Sequence, residues 1–245
     1  CLIYVELRTS NHPAAMKNRY LKGAHLSERK VRELLKLFCE DLTATQIANI
    51  TGISRITVNA YFKLIRTHIA KFCEEKNPLR HTNGTMIFLP IESPSSEAPT
   101  PGGTRKSLYG IFKKDSFIYT DKIGDIDTAW MYDWFKGKAV ADPEMIRKHH
   151  LHLYSGIADF NSIRLFRIND ATPNGNRGRS QIDEIDLFWG MLKSRLIKFR
   201  GLNGSTLYLH VKETEFRYNY RDADLFEILI DILNKRPLHY SKIMG

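Results

Sequence analysis

The chain has 245 residues, 42% of them hydrophobic, and 37 Lys and Arg against 27 Asp and Glu give it a formal net charge of +10. That is enough apolar material for one sizeable domain and a smaller one, while no apolar run approaches the roughly 20 residues of a membrane span, so a soluble, unexported, cytoplasmic protein is expected. Cys1, Cys39 and Cys73 show no CxxC spacing, which argues against a zinc ribbon or a disulfide framework, and the cationic excess favours a polyanionic partner.

Residues 1–20 contain the turn-like SNHPAA and read as a leader or extension with no assigned function. Ser27 then caps a helix whose apolar face is Val31, Leu34, Leu35 and Leu37–Phe38, and Thr43 with Gln46 makes a capping box opening a short second helix that Gly52 ends. Ser54 caps a third helix, with Val58, Phe62, Ile65, Ile69 and Phe72 inward. Helix, short Gly turn, helix is the order of a helix-turn-helix, which lays its second helix in the major groove of double-stranded DNA. Arg55, Thr57, Asn59 and Lys63 are the candidate contacts. Arg suits guanine O6 and N7, Asn suits adenine N6 and N7, and Lys63 and Arg66 suit phosphates. This module is placed at residues 21–80.

The remainder, 81–245, alternates differently. MIFLPI reads as a strand, and Glu92–Lys106, rich in Pro, Ser, Gly and Thr, as a loop. Ser107–Lys113 and Phe117–Ile123 form a hairpin, Asp127 caps a helix over TAWMYDWF with core aromatics, and LHLYSGI and RLFRIND are further strands. His150 and His152 would share one strand face, but without a third clustered ligand a metal site is not expected. TPNGNRGRSQ is a basic exposed loop. A helix over Ile182–Arg200 follows, with Ile185, Phe188, Trp189, Leu192, Leu196 and Phe199 on one face, while Asp186 and Lys193 project together two turns apart. A helix over Thr206–Arg221 follows it, and Leu225, Ile228, Leu229, Ile232 and Leu233 form a last apolar stripe. The fold class expected is α/β: a helix-turn-helix module, then a mixed sheet with C-terminal helices.

IDEIDLFWGMLKSRLIKFRGL followed by LYLHVKETEFRYNYR resembles the C-terminal signature of bacterial insertion-sequence transposases related to the eukaryotic Merlin elements. AHLSERKVRELLKLFCEDLTATQIANITGISRITVNAYFKLIR resembles that group's N-terminal helix-turn-helix. The resemblance implies an RNase H-like fold in which three acids bind two Mg²⁺ or Mn²⁺ ions roughly 4 Å apart, activating the attacking oxygen and stabilising the leaving one. Asp186 matches the third acid and metal ligand, and Lys193 matches its accompanying lysine. Ile91, within PIESPS, and Gly156, within LYSGIADF, stand where the first two acids belong.

The favoured reading is a nucleoid-associated, transposase-derived DNA-binding protein that has lost strand cleavage and needs no metal, with Lys198, beside Lys193 and Arg195, touching phosphate. An active transposase would need an unorthodox set drawn from Glu92 or Asp121, Asp159 and Asp186. A third reading is an interaction scaffold, a homodimer joined through the last apolar stripe.

Overall fold

The computed structural model describes residues 19–22, 26–82, 85–86, 108–123, 126, 128–136, 138–140, 142–168, 182–198 and 204–239. In chain order its elements are β1 (Leu21–Lys22), α1 (Glu28–Cys39), α2 (Ala44–Thr51), α3 (Arg55–Lys76), β2 (His81–Thr82), β3 (Thr85–Met86), β4 (Leu108–Lys114) and β5 (Phe117–Ile123). They continue with α4 (Thr128–Phe135), α5 (Pro143–Lys148), β6 (Gly156–Asp159), β7 (Arg164–Arg167), α6 (Glu184–Lys198), α7 (Gly204–Asn219), α8 (Leu225–Lys235) and β8 (Leu238–His239). The class is mixed α/β, and no helix among the described residues is long and apolar enough to cross a membrane.

The chain divides into two compact units, Cys1–Leu64 with Phe226–Gly245, and Ile65–Leu225. In the first, the local signals set the helix ends. Ser27 Oγ accepts from Lys30 N at 3.4 Å, and Thr43 Oγ1 accepts from Gln46 N while Gln46 Oε1 accepts from Thr43 N at 2.8 Å. Gly52 ends α2 at φ 71°, in the left-handed region that a Cβ disfavours. Ser54 Oγ accepts from Thr57 N at 3.1 Å and starts α3. Val31, Leu34, Leu35, Phe38, Ile47 and Phe62 are buried, with Phe38 and Phe62 in edge-to-face contact at 5.1 Å. The same unit buries Leu229, Ile230, Ile232 and Leu233 of α8 and half-buries Ile228, while Leu225, at the end of the second unit, is half-buried. The stripe expected to join two scaffold subunits is therefore mostly core, since an apolar face gains most where it leaves water.

The second unit is built on a four-stranded sheet in the order β5-β4-β6-β7. Leu108, Ile123 and Ile157 face Met131 and Trp134 of α4 and Leu151, whereas Tyr109, Ile111, Ile118 and Ala158 face Ile185, Phe188, Trp189 and Leu192 of α6 and Val211 of α7. The alternation of side chains along each strand makes this three-layered arrangement, and the aromatics of TAWMYDWF are core as expected.

Several expectations need correction. Every pairing in this sheet is antiparallel, so it is not the mixed sheet predicted. The chain that crosses from β5 to β6 carries α4 and α5 and returns running opposite to β4, and of MIFLPI only Met86 is described, at the end of the Thr85–Met86 strand that pairs with His81–Thr82. LHLYSGI is not one strand: Leu151–Leu153 is a 3-10 turn, His150 is left-handed at φ 52°, and the strand starts at Gly156. His150 and His152 thus do not share a strand face. The helix α5 was not expected, although Asp142 capping Pro143 at the first turn is a legible start. Ile91, Glu92, the Glu92–Lys106 loop, Asp127 and the TPNGNRGRSQ loop lie outside the described residues.

The most unusual packing is on α7, where residues 211–218 are all buried, five of them polar or charged. Lys212 Nζ donates to Thr120 O at 2.6 Å and pairs with Glu74 at 2.9 Å and Glu215 at 3.1 Å. Glu213 is gripped by Arg66 at 2.7 Å, Arg195 at 2.8 Å and Arg217 at 2.9 Å. Glu215 Oε2 accepts from Thr120 N and Oγ1, and Asn219 takes both backbone groups of Ile118. These bonds clamp α7 to β5 and to the Ile65–Lys76 part of α3. Burial alone would push the Glu213 carboxyl up, but three guanidinium groups outweigh it and hold the group well below the ordinary range. Removing that charge leaves the arginines uncompensated, so Glu213→Gln is expected to lower stability by on the order of 3 kcal/mol or more, read as the shift in urea unfolding.

Candidate nucleic-acid interface

Arg55, Asn59 and Lys63 follow one another at four-residue steps, one face of a helix, and all three are exposed. Ile56, 81% exposed, stands beside them at the start of α3. The Gly52 turn and the Ser54 cap aim this end outward. Lys30 Nζ supports the turn, donating to Thr51 O at 3.0 Å. Thr57 has a different task, because its Oγ1 lies 2.8 Å from Ser54 Oγ and it is half-buried in the cap.

Arg66 is corrected outright. It is 9% exposed and its guanidinium is committed to Glu213, so it is a structural cation and not a free phosphate donor. Lys198, in the last turn of α6, is exposed, as is Lys193.

The acidic positions are held apart, each by its own partners. Asp183 and Asp186 form the reciprocal cap that starts α6: Asp183 Oδ1 accepts from Asp186 N at 3.1 Å and Asp186 Oδ2 accepts from Asp183 N at 3.3 Å. Arg167 pairs with Asp183 at 2.5 Å and with Asp186 at 3.1 Å. Asp159, 1% exposed, accepts from Tyr132, from Ser162 Oγ at 2.6 Å and from Asn161 N at 2.9 Å. Burial pushes its carboxyl up, and these donors overcome that and hold it below the ordinary range. Asp121 takes Asn77 Nδ2 at 3.1 Å and Arg80 at 2.9 Å, and burial raises it.

Register fixes the separations. Asp121 lies opposite Gly110 and Asp159 opposite Leu108, so the two aspartates are two strands and two residues apart. At about 4.8 Å per strand and 3.4 Å per residue, that is roughly 12 Å between their Cα atoms, and each carboxylate is taken up by its own donors, Asp121 by Asn77 and Arg80 and Asp159 by Tyr132, Asn161 and Ser162. Gly156 is tightly surrounded as well: a Cβ there would lie 3.1 Å from Leu165 Cδ1 and 3.3 Å from Phe166 O, so these neighbours would have to give by a few tenths of an ångström to admit a side chain. Among the described residues no three His, Cys, Asp or Glu side chains are grouped to hold a metal ion.

The chain matches no family model, no curated protein and no solved structure. Residues and geometry therefore carry the functional argument.

Sequence reading missed the α7 network and the Arg167 bridge. The first had a signal, since Lys212 and Glu215, and Glu213 and Arg217, stand at three- and four-residue helical spacing. The second had none, because Arg167 arrives from another strand. Hydrogen bonds from Arg167 hold Asp183 at about 2, below the ordinary 3.8. A depressed acid contributes stability that is present above 3.8 and is lost as pH falls through about 2. Asp183→Ala should cost about 1 kcal/mol near neutrality, and its melting curve should converge on that of the unaltered protein across that acid window.

Proposed function

We propose that this chain is a DNA-binding protein descended from the Merlin-related insertion-sequence transposases, reading double-stranded DNA on the bacterial nucleoid through α2 and α3 and no longer cutting it. The observation that carries this reading is the outward face of Arg55, Asn59 and Lys63 on a capped helix that follows a tight glycine turn. A guanidinium, a carboxamide and an ammonium in that order supply two base-reading groups and one phosphate contact. The net charge of +10 adds the long-range attraction. On this reading the α/β unit is a retained RNase H-like scaffold.

Loss of cleavage is supported by the acids themselves. Asp186 serves as a helix cap bound to Arg167, Asp159 is enclosed by neutral donors, and a side chain at Gly156 would crowd Leu165 and Phe166. Losing two members of a catalytic unit removes the metal site as well as its chemistry, so Mg²⁺ and Mn²⁺ have no role in the proposed activity.

Gel-shift titrations over a range of salt test the reading, with affinity expected to fall steeply as salt rises. Once a preferred sequence has been selected, Arg55→Ala and Asn59→Ala should each cost about 1–3 kcal/mol on it and relax its specificity. Lys63→Ala should weaken all sequences alike and reduce the salt slope by roughly 1. Arg66→Ala should lower stability without changing that slope. Cleavage or joining of DNA ends by the purified protein with Mg²⁺ or Mn²⁺ would overturn the loss of catalysis, and salt-insensitive binding would overturn the DNA reading.

A further inference from the structure

Eight large apolar side chains are strongly exposed among the described residues, and three of them, Ile182, Leu187 and Ile197, lie on or just before α6. Leu187, Gly190, Ser194 and Ile197 recur at three-, four- and three-residue steps, so they form one stripe, opposite the buried face of Ile185, Phe188 and Leu192. At the middle of that stripe, a Cβ added to Gly190 would meet nothing within 4 Å. A mid-helix glycine destabilises a helix relative to alanine, and no packing among the described residues requires one here. Small residues on an exposed helix face leave room for a second backbone.

The stripe is symmetric about residue 192. Leu187 and Ile197 each lie five residues from it, and Gly190 and Ser194 each lie two. A two-fold axis at that point pairs two antiparallel copies of α6 so that Leu187 meets the Ile197 of the second copy and Gly190 meets its Ser194. The charges fit the same register. The first turn carries Glu184 and Asp186, and the last turn carries Lys198. In the antiparallel pair Glu184 and the second copy's Lys198, on one flank of the stripe, fall about 3 Å apart along the axis. Glu184 already bridges to Lys113 at 2.9 Å, and its carboxylate has lone pairs for both. A groove of about 360 Å³ lined by Ile182, Glu184, Leu187 and Lys113 lies where the second copy's Ile197 would arrive.

We propose that the exposed face of α6 is a self-association surface whose occupant is a second copy of this chain, packed as an antiparallel helix pair. A single helix pair is a small interface, so the association is of micromolar strength rather than obligate. The inference does not rest on the α3 face proposed to read DNA, because every residue in it belongs to α6 or the groove beside it.

Sedimentation equilibrium of the full chain without DNA, from micromolar to hundreds of micromolar, should give a reversible monomer–dimer equilibrium. Leu187→Glu and Ile197→Lys should each raise the dimer Kd by more than about tenfold, because each buries an unpaired charge twice per dimer. Thermal melts at concentrations well below the dimer Kd should be unchanged, since both positions are exposed in the monomer. The register is tested by mixing. Leu187→Glu with Ile197→Lys forms one ion pair and keeps one Leu187–Ile197 contact, so the mixture should associate more tightly than either variant alone. A monomer at every concentration, a dimer indifferent to both substitutions, or a mixture no tighter than its components would each overturn the proposal.

Discussion

The buried carboxylate of Glu213 organises the larger unit. Three guanidinium groups converge on it from α3, α6 and α7, so removing any one of the four groups leaves buried charge without its full set of partners. Desolvating an ion costs several kcal/mol, and only a complete set of partners offsets that. The helices are therefore fixed relative to one another by direction-specific bonds, whereas apolar contacts alone would let them slide. Lys212 and Glu215 extend the same constraint to β5 through Thr120. Because the set is incomplete if any element is displaced, it specifies one packing of α7 in addition to stabilising it.

This network changes how the resemblance in the C-terminal third is understood. The K-E-x-E-x-R-x-N run that marks it is buried along nearly its whole length and holds backbone and side chains of neighbouring elements. Its residues are chemically reactive types in structural employment. The same holds for Asp186, whose carboxylate closes the first turn of α6 while Arg167 neutralises it. A charged residue in either helix therefore says little about chemistry until its partners are known.

How much could be read in advance follows from where the determining contacts lie. The ends of α1, α2 and α3 depend on Ser27, Thr43, Gln46, Gly52 and Ser54, each acting within four residues of itself, and all were legible. The β4–β5 hairpin was legible for the same reason, its turn being two residues long. The antiparallel sense of β6 was not, because a long crossover does not reveal in which direction the chain re-enters the sheet. Arg66 was misread because helical spacing places it on a side that Glu213, far along the chain, covers. At the candidate site Arg55, Asn59 and Lys63 were visible as a face, while the separation of the aspartates needed the register of three strands.

The tight surroundings of Gly156 bear on history as well as on chemistry. A side chain there would press on Leu165 and on the backbone at Phe166, so an acid could return only if both gave way slightly. On the proposed ancestry, sheet packing would have closed over the vacated position after the acid was lost. Each later substitution that improved that packing would then have raised the barrier to going back. On that ancestry the decay of such an enzyme grows harder to reverse with each step, for steric reasons alone.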